Sequence, residues 1–311
     1  MVSIKEVSYQ NYGKCMQLSN GEIELCVTLE LGPRIIRFAR TGGENMMFED
    51  LERTQVQCGS AFDSYYGEGS AWYIYGGHRL WASPEALPRS YYPDNTPPKA
   101  QVIENGVILT CPEQIRNNLQ MTTMIVMCPD SPHVTVTHHI KNTGAFPAEF
   151  AAWGLSVMAA GGKVAVPVPQ RDTGLLSNRA IALWPYSRMT DPRVCWGDRY
   201  ITLRQDPGIA DAFKLGINNE DGFAMYFNHN ALFVKQFDYL PGVTYPDGGM
   251  NFETYANAYF LEVESIGPLT MVGSGETITH TEHWSLYGDV AMPESDADAL
   301  GKIADTYVYG K

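Results

Sequence analysis

Two glutamates, Glu262 and Glu264, interrupt the apolar run from Tyr259 to Ile266. Side chains alternate faces along a strand, so this spacing sets both carboxylates on one face, roughly 7 Å apart. Like charges that close repel, and one of the two should hold its proton toward neutral pH, as general acid/base work requires. A pair of this kind also serves glycoside cleavage. The plain alternative is a solvent-facing strand. A second group is Tyr75-Gly76-Gly77-His78-Arg79-Leu80-Trp81, followed by Pro84-Glu85. Here Gly-Gly permits a sharp bend, His78 can move protons near neutrality, Arg79 offers a planar fork to hydroxyls or carboxylates, and Trp81 can stack on a sugar ring. The alternative is a structural loop whose His and Arg are satisfied internally. Tyr245-Pro246-Asp247-Gly248-Gly249 has the chemistry of a tight turn, and it leads directly into the glutamate segment, so Asp247 can border the same pocket.

Other chemistries find less support. His280 and Glu282 share a strand face and could form half of a metal site, but no third ligand is evident. His138-His139 points to opposite faces of one strand and reads as structural. There is no Gly-x-Ser-x-Gly elbow, no P-loop and no dinucleotide glycine motif. The six cysteines, at 15, 26, 58, 111, 128 and 195, contain no Cys-x-x-Cys pair, and with no apolar signal core at the N-terminus they suggest a reduced, cytoplasmic setting. The net charge of −13, with Lys and Arg scattered, argues against a nucleic-acid surface. No apolar stretch is long enough for a transmembrane helix.

The elements that would position these groups are mostly strands. Residues 4–30 alternate well around the hairpin signal Asn20-Gly21, and a Gly32-Pro33 break precedes a further strand. Strand patterns return at Val102–Thr110, Leu119–Val126, Val134–Ile140 and Glu149–Met158, with turn residues between them. They continue at Ile201–Arg204, Gly222–Phe227, Ala231–Phe237, Tyr255–Ser265, Leu269–Val272 and Glu276–Tyr287. Residues 52–99 and 161–200 read as irregular crossings. The first is dense in aromatic residues and suits a pocket wall. One helix is expected, Glu294–Val308. With 44 % apolar and 18 % charged residues over 311 positions, the chain can bury a large core, and a single domain spanning 1–311 is the economical reading.

Several of these segments resemble the galactose mutarotase-like (aldose 1-epimerase-like) proteins. The similarity lies in Asn20-Gly21-Glu22-Ile23-Glu24-Leu25, Leu31-Gly32-Pro33-Arg34-Ile35, Phe260-Leu261-Glu262-Val263-Glu264, and Gly275-Glu276 with His280 and Trp284. Gly-Gly-His-Arg-Leu-Trp, Leu183-Trp184-Pro185-Tyr186 with Asp191 and Arg193, and Tyr245-Pro246-Asp247-Gly248 look like an uncharacterised bacterial branch of that superfamily. The resemblance implies an all-β antiparallel supersandwich with a short C-terminal helix and a sugar-binding cleft. It implies that Glu262 is the general base for ring opening. His78 and Arg79 match family binding residues in type, and His78 becomes the candidate acid. Arg34, Trp81, Trp153, Asp247 and Glu264 are the further expected pocket residues. One departure stands out: the strand where the family carries its acid histidine reads Phe150-Ala151-Ala152-Trp153-Gly154-Leu155-Ser156, with Trp153 in that slot, and an indole is no proton donor of this kind.

The leading expectation is therefore an aldose 1-epimerase type of isomerase acting on a small carbohydrate. The alternatives are a non-catalytic carbohydrate-binding or sensing protein, and a sugar lyase or hydrolase. Neither a cofactor nor a metal is expected, nor a nucleic-acid or membrane partner; a homodimer is left open.

Overall fold

The computed structural model describes residues 1–311. Two large antiparallel sheets lie face to face. The first has eleven strands, running in space as Ser3–Ser8, Lys14–Ser19, Ile23–Thr28, Ile35–Arg40, Gly77–Ser83, Ala148–Met158, Leu261–Ile266, Phe252–Ala256, Phe213–Ile217 and Ile181–Leu183, with Thr270–Val272 paired beside Ala148–Met158. The second has ten: Val194–Trp196, Tyr200–Arg204, Lys163–Pro167, Phe223–Asn228, Ala231–Phe237, Thr277–Gly288, His133–Asn142, Leu119–Met127, Gly106–Thr110 and Lys99–Ile103. This is the all-β supersandwich the sequence implies.

Alternation builds the core between them. Phe38 of the first sheet meets Phe233 and Trp284 of the second at ring separations of 5.8 and 5.6 Å. Each fully buried aromatic of this kind contributes on the order of 2–3 kcal/mol. The helix is Ala297–Tyr307. It begins where the Asp296 carboxylate accepts hydrogen bonds from the Asp298 and Ala299 backbone N–H groups, a side-chain N-cap. It buries Leu300 and Ala304 in a cluster with Phe223 and Leu232.

Three readings of secondary structure need correcting. The aromatic segment 52–99 is not irregular throughout: Gly77–Ser83 is a central strand with all seven residues buried, and Ser60–Tyr66 is a short helix. Gly76 and Gly77 do make the bend, with φ of 103° and 64°. A Cβ on Gly77 would stand 2.3 Å from the Ile35 carbonyl oxygen, so the chains approach too closely for a side chain there. The run Tyr255–Ser265 is not one strand but the hairpin Phe252–Ala256 and Leu261–Ile266, and Tyr259 lies in its turn. The crossing 161–200 also contributes the strand Lys163–Pro167 to the second sheet, and Phe213–Ile217 is a further strand beyond the expected set.

Candidate functional site

Four neighbouring strands, Gly77–Ser83, Ala148–Met158, Leu261–Ile266 and Phe252–Ala256, followed by Phe213–Ile217, form the floor of a cleft on the outer face of the first sheet. Register decides which side chains share it. Trp81 lies opposite Trp153, Arg79 opposite Leu155, Leu155 opposite Glu264, and Glu264 opposite Glu253. With alternation, Arg79, Trp81, Trp153, Leu155, Glu262 and Glu264 all belong to the outer face. Trp72, from the short strand Ala71–Tyr73, and Tyr91, from the 3-10 turn Arg89–Tyr91, add a wall: Trp72 and Trp81 rings are 5.3 Å apart, Trp81 and Tyr91 4.8 Å, and Trp81 and Trp153 5.6 Å. The open space has a volume of about 280 Å³ and continues into a recess lined by Trp184, Glu85, Glu253 and Asp247, at the lower end of the usual range for a small-ligand site.

Glu262 sits in this space with its side chain 11 % exposed. Both terminal nitrogens of Arg79 donate to its Oε1, each at 3.2 Å. Arg79 in turn lies over the Trp81 ring, 4.3 Å from its centre, and 5.4 Å from that of Trp72, so the guanidinium is fixed by cation–π contact as well as by charge. Glu264 lies beneath the surface. Its Oε2 accepts from Trp153 Nε1–H at 2.9 Å and from Lys214 Nζ at 3.3 Å. Burial pushes its carboxyl up to about 7, against the pull of Lys214 and with the help of the Glu262 charge. Lys214 also meets Glu253 at 2.6 Å, and its ammonium stands 4.7 Å from the ring centres of both Trp153 and Trp184. Lys214 belongs to none of the motifs that stand out in the sequence. A lone lysine inside Phe213-Lys214-Leu215-Gly216-Ile217 is the signal that could have found it, because a lysine is seldom fully buried unless paired.

Two expected pocket residues lie elsewhere. His78 is one position before Arg79 and therefore faces the other way, into the space between the sheets. There its Nδ1 pairs with Ser156 Oγ at 2.9 Å and its Nε2 with His138 Nε2 at 2.9 Å. It does not reach the cleft, so the assignment of His78 as proton donor to a bound sugar is corrected. Arg34 is also outside the cleft. It forms a two-pronged bond to Asp94, at 2.7 and 3.0 Å, beside a separate small cavity bordered by Tyr92 and Gln114.

The inter-sheet polar group is extensive. Glu282 Oε1 accepts from Lys235 Nζ at 3.0 Å and from Ser265 Oγ at 2.5 Å, and its Oε2 accepts from Trp284 Nε1–H at 2.8 Å. His280 Nε2 meets Ser265 Oγ at 2.7 Å, and His138 Nδ1 meets Thr123 Oγ1 at 3.3 Å. Burial pushes His138 down to about 3 and His78 and His280 below the ordinary histidine range. For Glu282, burial acts upward but Lys235 and the histidines outweigh it, and the carboxylate stays ionised. His78, His138 and Glu282 bring three ligand-capable atoms within 4.8 Å of one another, the set a metal would use in place of the anticipated half-site with His280. However, Lys235 already supplies the positive charge beside Glu282, and the two imidazoles satisfy each other. Room for the group comes from Gly154, where a Cβ would stand 2.4 Å from Glu282 Oε1.

No protein-family model matches the sequence, and no curated protein does. Solved structures do match. A TPR-domain containing protein from Parabacteroides distasonis aligns with 90 % of this chain at 11 % identity and a TM-score of 0.61. The present chain spans about half of that protein, 48 %. A galactose mutarotase-like protein from Lactobacillus casei aligns with 88 % of this chain and 100 % of its own, at 8 % identity and a TM-score of 0.55. A second, from Clostridium acetobutylicum, aligns with 92 % and 99 %, at 10 % identity and 0.52. The chain has the galactose mutarotase-like fold. At these identities the likeness concerns the fold, and the cleft has to be read from its own side chains.

Proposed function

We propose that the cleft binds a small carbohydrate and interconverts its anomers, as an aldose 1-epimerase does, with Glu262 as the general base. The observation that carries this reading is the asymmetry of Glu262. Arg79 holds Oε1 through two nitrogens, while Oε2 has no protein hydrogen-bond partner and faces a cleft walled by Trp72, Trp81, Tyr91 and Trp153. The arrangement fixes one oxygen and leaves the other to accept the proton of an anomeric hydroxyl. Aromatic faces beside it suit the apolar faces of a sugar ring. As that proton leaves, the C1–O5 bond opens and the carbonyl forms; closure on the other face gives the second anomer.

A non-catalytic binding protein is the second reading. Its support is that Trp153 occupies the slot where the family resemblance expects an acid histidine, and that Arg79 already engages one oxygen of Glu262. Glycoside cleavage by paired carboxylates is less well supported, because Glu264 is fully buried and turned toward Trp153 and Lys214.

Anomer interconversion, followed by polarimetry or NMR on a panel of aldoses, is the test. The epimerase reading expects catalysis by the wild type and a loss of about 10²–10⁴-fold in kcat for Glu262→Gln. Sugar binding by calorimetry without any acceleration over buffer would favour the binding reading.

A further inference from the structure

Resting on the epimerase reading, we infer that Lys214 is the proton-donating contact for the ring oxygen, reloaded by a carboxylic acid shared between Glu253 and Glu264. The two halves of the reaction would then occupy one sheet face: Glu262 with Arg79 on one side, and Lys214 with its two glutamates on the other.

The geometry begins with strand register. Glu253 and Glu264 are direct cross-strand partners, so their Cβ atoms are about 5 Å apart. Both are fully buried. A single ammonium, Lys214, serves both, at 2.6 Å from Glu253 and 3.3 Å from Glu264. One positive charge between two carboxylates leaves an excess negative charge in a buried place, which is costly. Two oxygens, Glu253 Oε1 and Glu264 Oε1, have no hydrogen-bond partner. A bound proton removes the excess charge and turns one of the two carboxylates into a neutral acid. Burial raises both carboxyls, Glu264 to about 7. Lys214 is lowered by burial but raised more by the two glutamates, and it stays cationic.

Lys214 borders the part of the cleft that holds Glu262, whereas Glu253 borders only the adjoining recess and Glu264 lies beneath the floor. Arg79 lines the same part as Lys214, and the Lys214 ammonium lies against the Trp153 ring that fills the expected histidine position. The other charged groups facing the triad are Glu262, Arg79, Glu85 and Asp247.

The proton balance closes without any co-reactant. Glu262 takes the O1 proton, and the electron pair of that O–H bond forms C1=O1. The C1–O5 bond breaks, its electron pair goes to O5, and O5 takes a proton from Lys214. The carboxylic acid of the glutamate pair returns a proton to Lys214. Ring closure reverses each transfer, so the enzyme ends as it began. Lys214 is cationic before the transfer to O5 and again once the carboxylic acid has reprotonated it, so the proton lost over ring opening is the one held by the carboxyl pair, and that pair is the acid that sets the working pH.

Anomerisation kinetics of Lys214→Met, Lys214→Arg, Glu253→Gln and Glu264→Gln provide the test, with infrared difference spectra of the wild type and of the two glutamine variants. The expected result is a kcat loss of about 10²–10⁴-fold in Lys214→Met with a much smaller change in KM. Lys214→Arg should give no rescue, since a guanidinium does not release its proton. Glu253→Gln or Glu264→Gln should shift the alkaline limb of the kcat profile. A protonated-carboxyl C=O band present in the wild type at neutral pH should disappear in at least one glutamine variant. Wild-type activity with Lys214→Met within threefold of it would overturn the assignment while leaving the epimerase reading intact. Absence of the protonated-carboxyl band would overturn the shared acid whether or not any variant folds poorly. A wild type inactive on all aldoses would remove both readings together.

Discussion

Replacing Lys235 by Met tests how the inter-sheet polar group supports the cleft. Lys235 is fully buried and donates to Glu282 Oε1 at 3.0 Å, to the Val263 carbonyl at 3.0 Å and to the Gly154 carbonyl at 3.4 Å. Met fills nearly the same volume, so packing changes little, but one charged and two neutral acceptors lose their donor. Breaking a buried ion pair from one side costs about 3–5 kcal/mol. At about 2.1 cal/mol/K of unfolding entropy per residue, 311 residues give about 0.65 kcal/mol/K. The expected fall in Tm is then about 5–8 °C, measured by calorimetry at pH 7.5. Glu282 keeps Ser265 and Trp284 as donors, which places the outcome nearer the lower figure. A Lys235→Met, Glu282→Gln double variant removes the unpaired charge and should recover at least half of the loss. A single variant within 2 °C of wild type, or a double variant less stable than Lys235→Met alone, would refute the idea that Glu282 depends on Lys235 for its charge.

The depressed histidines set an acid limb. His138 titrates near 6.5 when unfolded and near 3 when folded, so its contribution is complete above pH 6.5 and is lost as pH falls toward 3. Relative to His138→Gln, the wild type should therefore lose about 3 kcal/mol of unfolding free energy between pH 7 and pH 4, read from denaturant titrations of both proteins at the two pH values. Glu264 acts oppositely: raised from 4.5 to about 7, its neutral form favours folding, and stability worth on the order of 3 kcal/mol is lost as pH rises from 4.5 through 7; Glu264→Gln should remove this loss in the same titration. Gly154→Ala should cost about 1–3 kcal/mol by forcing Glu282 from its place, read as a fall in Tm with the secondary-structure spectrum unchanged. Arg79→Lys should leave the fold intact but weaken sugar affinity about 10–100-fold by calorimetry, because an ammonium cannot reproduce two parallel donors to one carboxylate oxygen.

What the sequence made legible is whatever a two-residue period carries. Glu262 and Glu264 were placed on one face by counting, and that placement holds because Leu261–Ile266 is a regular strand flanked on both sides. Trp81, Trp153 and Arg79 fall on the same face by the same counting once their strands are paired. Asp247 borders the adjoining recess from a turn whose residues announce it. The failures have a common cause as well. The chemistry of an imidazole and the match to family residues in type point His78 to the cleft, yet in a strand the residue next to Arg79 is the one that points away. Gly76-Gly77 and the aromatic density of the segment read as a loop, although Gly77–Ser83 is a strand. Lys214 lies in Phe213–Ile217, a strand too short and too uniformly buried to show a two-residue period, and the glutamate that completes its triad, Glu253, gains meaning only from a cross-strand register that local pattern does not contain.

The same alternation explains why the two polar groups of this protein do not interfere with each other. Along Gly77–Ser83, His78 enters the space between the sheets and Arg79 enters the cleft. Along Leu261–Ile266, Ser265 supports Glu282 on the inner face while Glu262 and Glu264 serve the outer one. One pair of strands thus anchors both groups. The inner group is closed, with Glu282 and both nitrogens of His78 and His138 partnered. The outer group is left incomplete, with Oε2 of Glu262 and Oε1 of Glu253 and Glu264 free. A satisfied network fixes strand positions and an unsatisfied one is open to reaction, so the inner histidines and lysine act as the rigid support that aims Glu262 and Arg79.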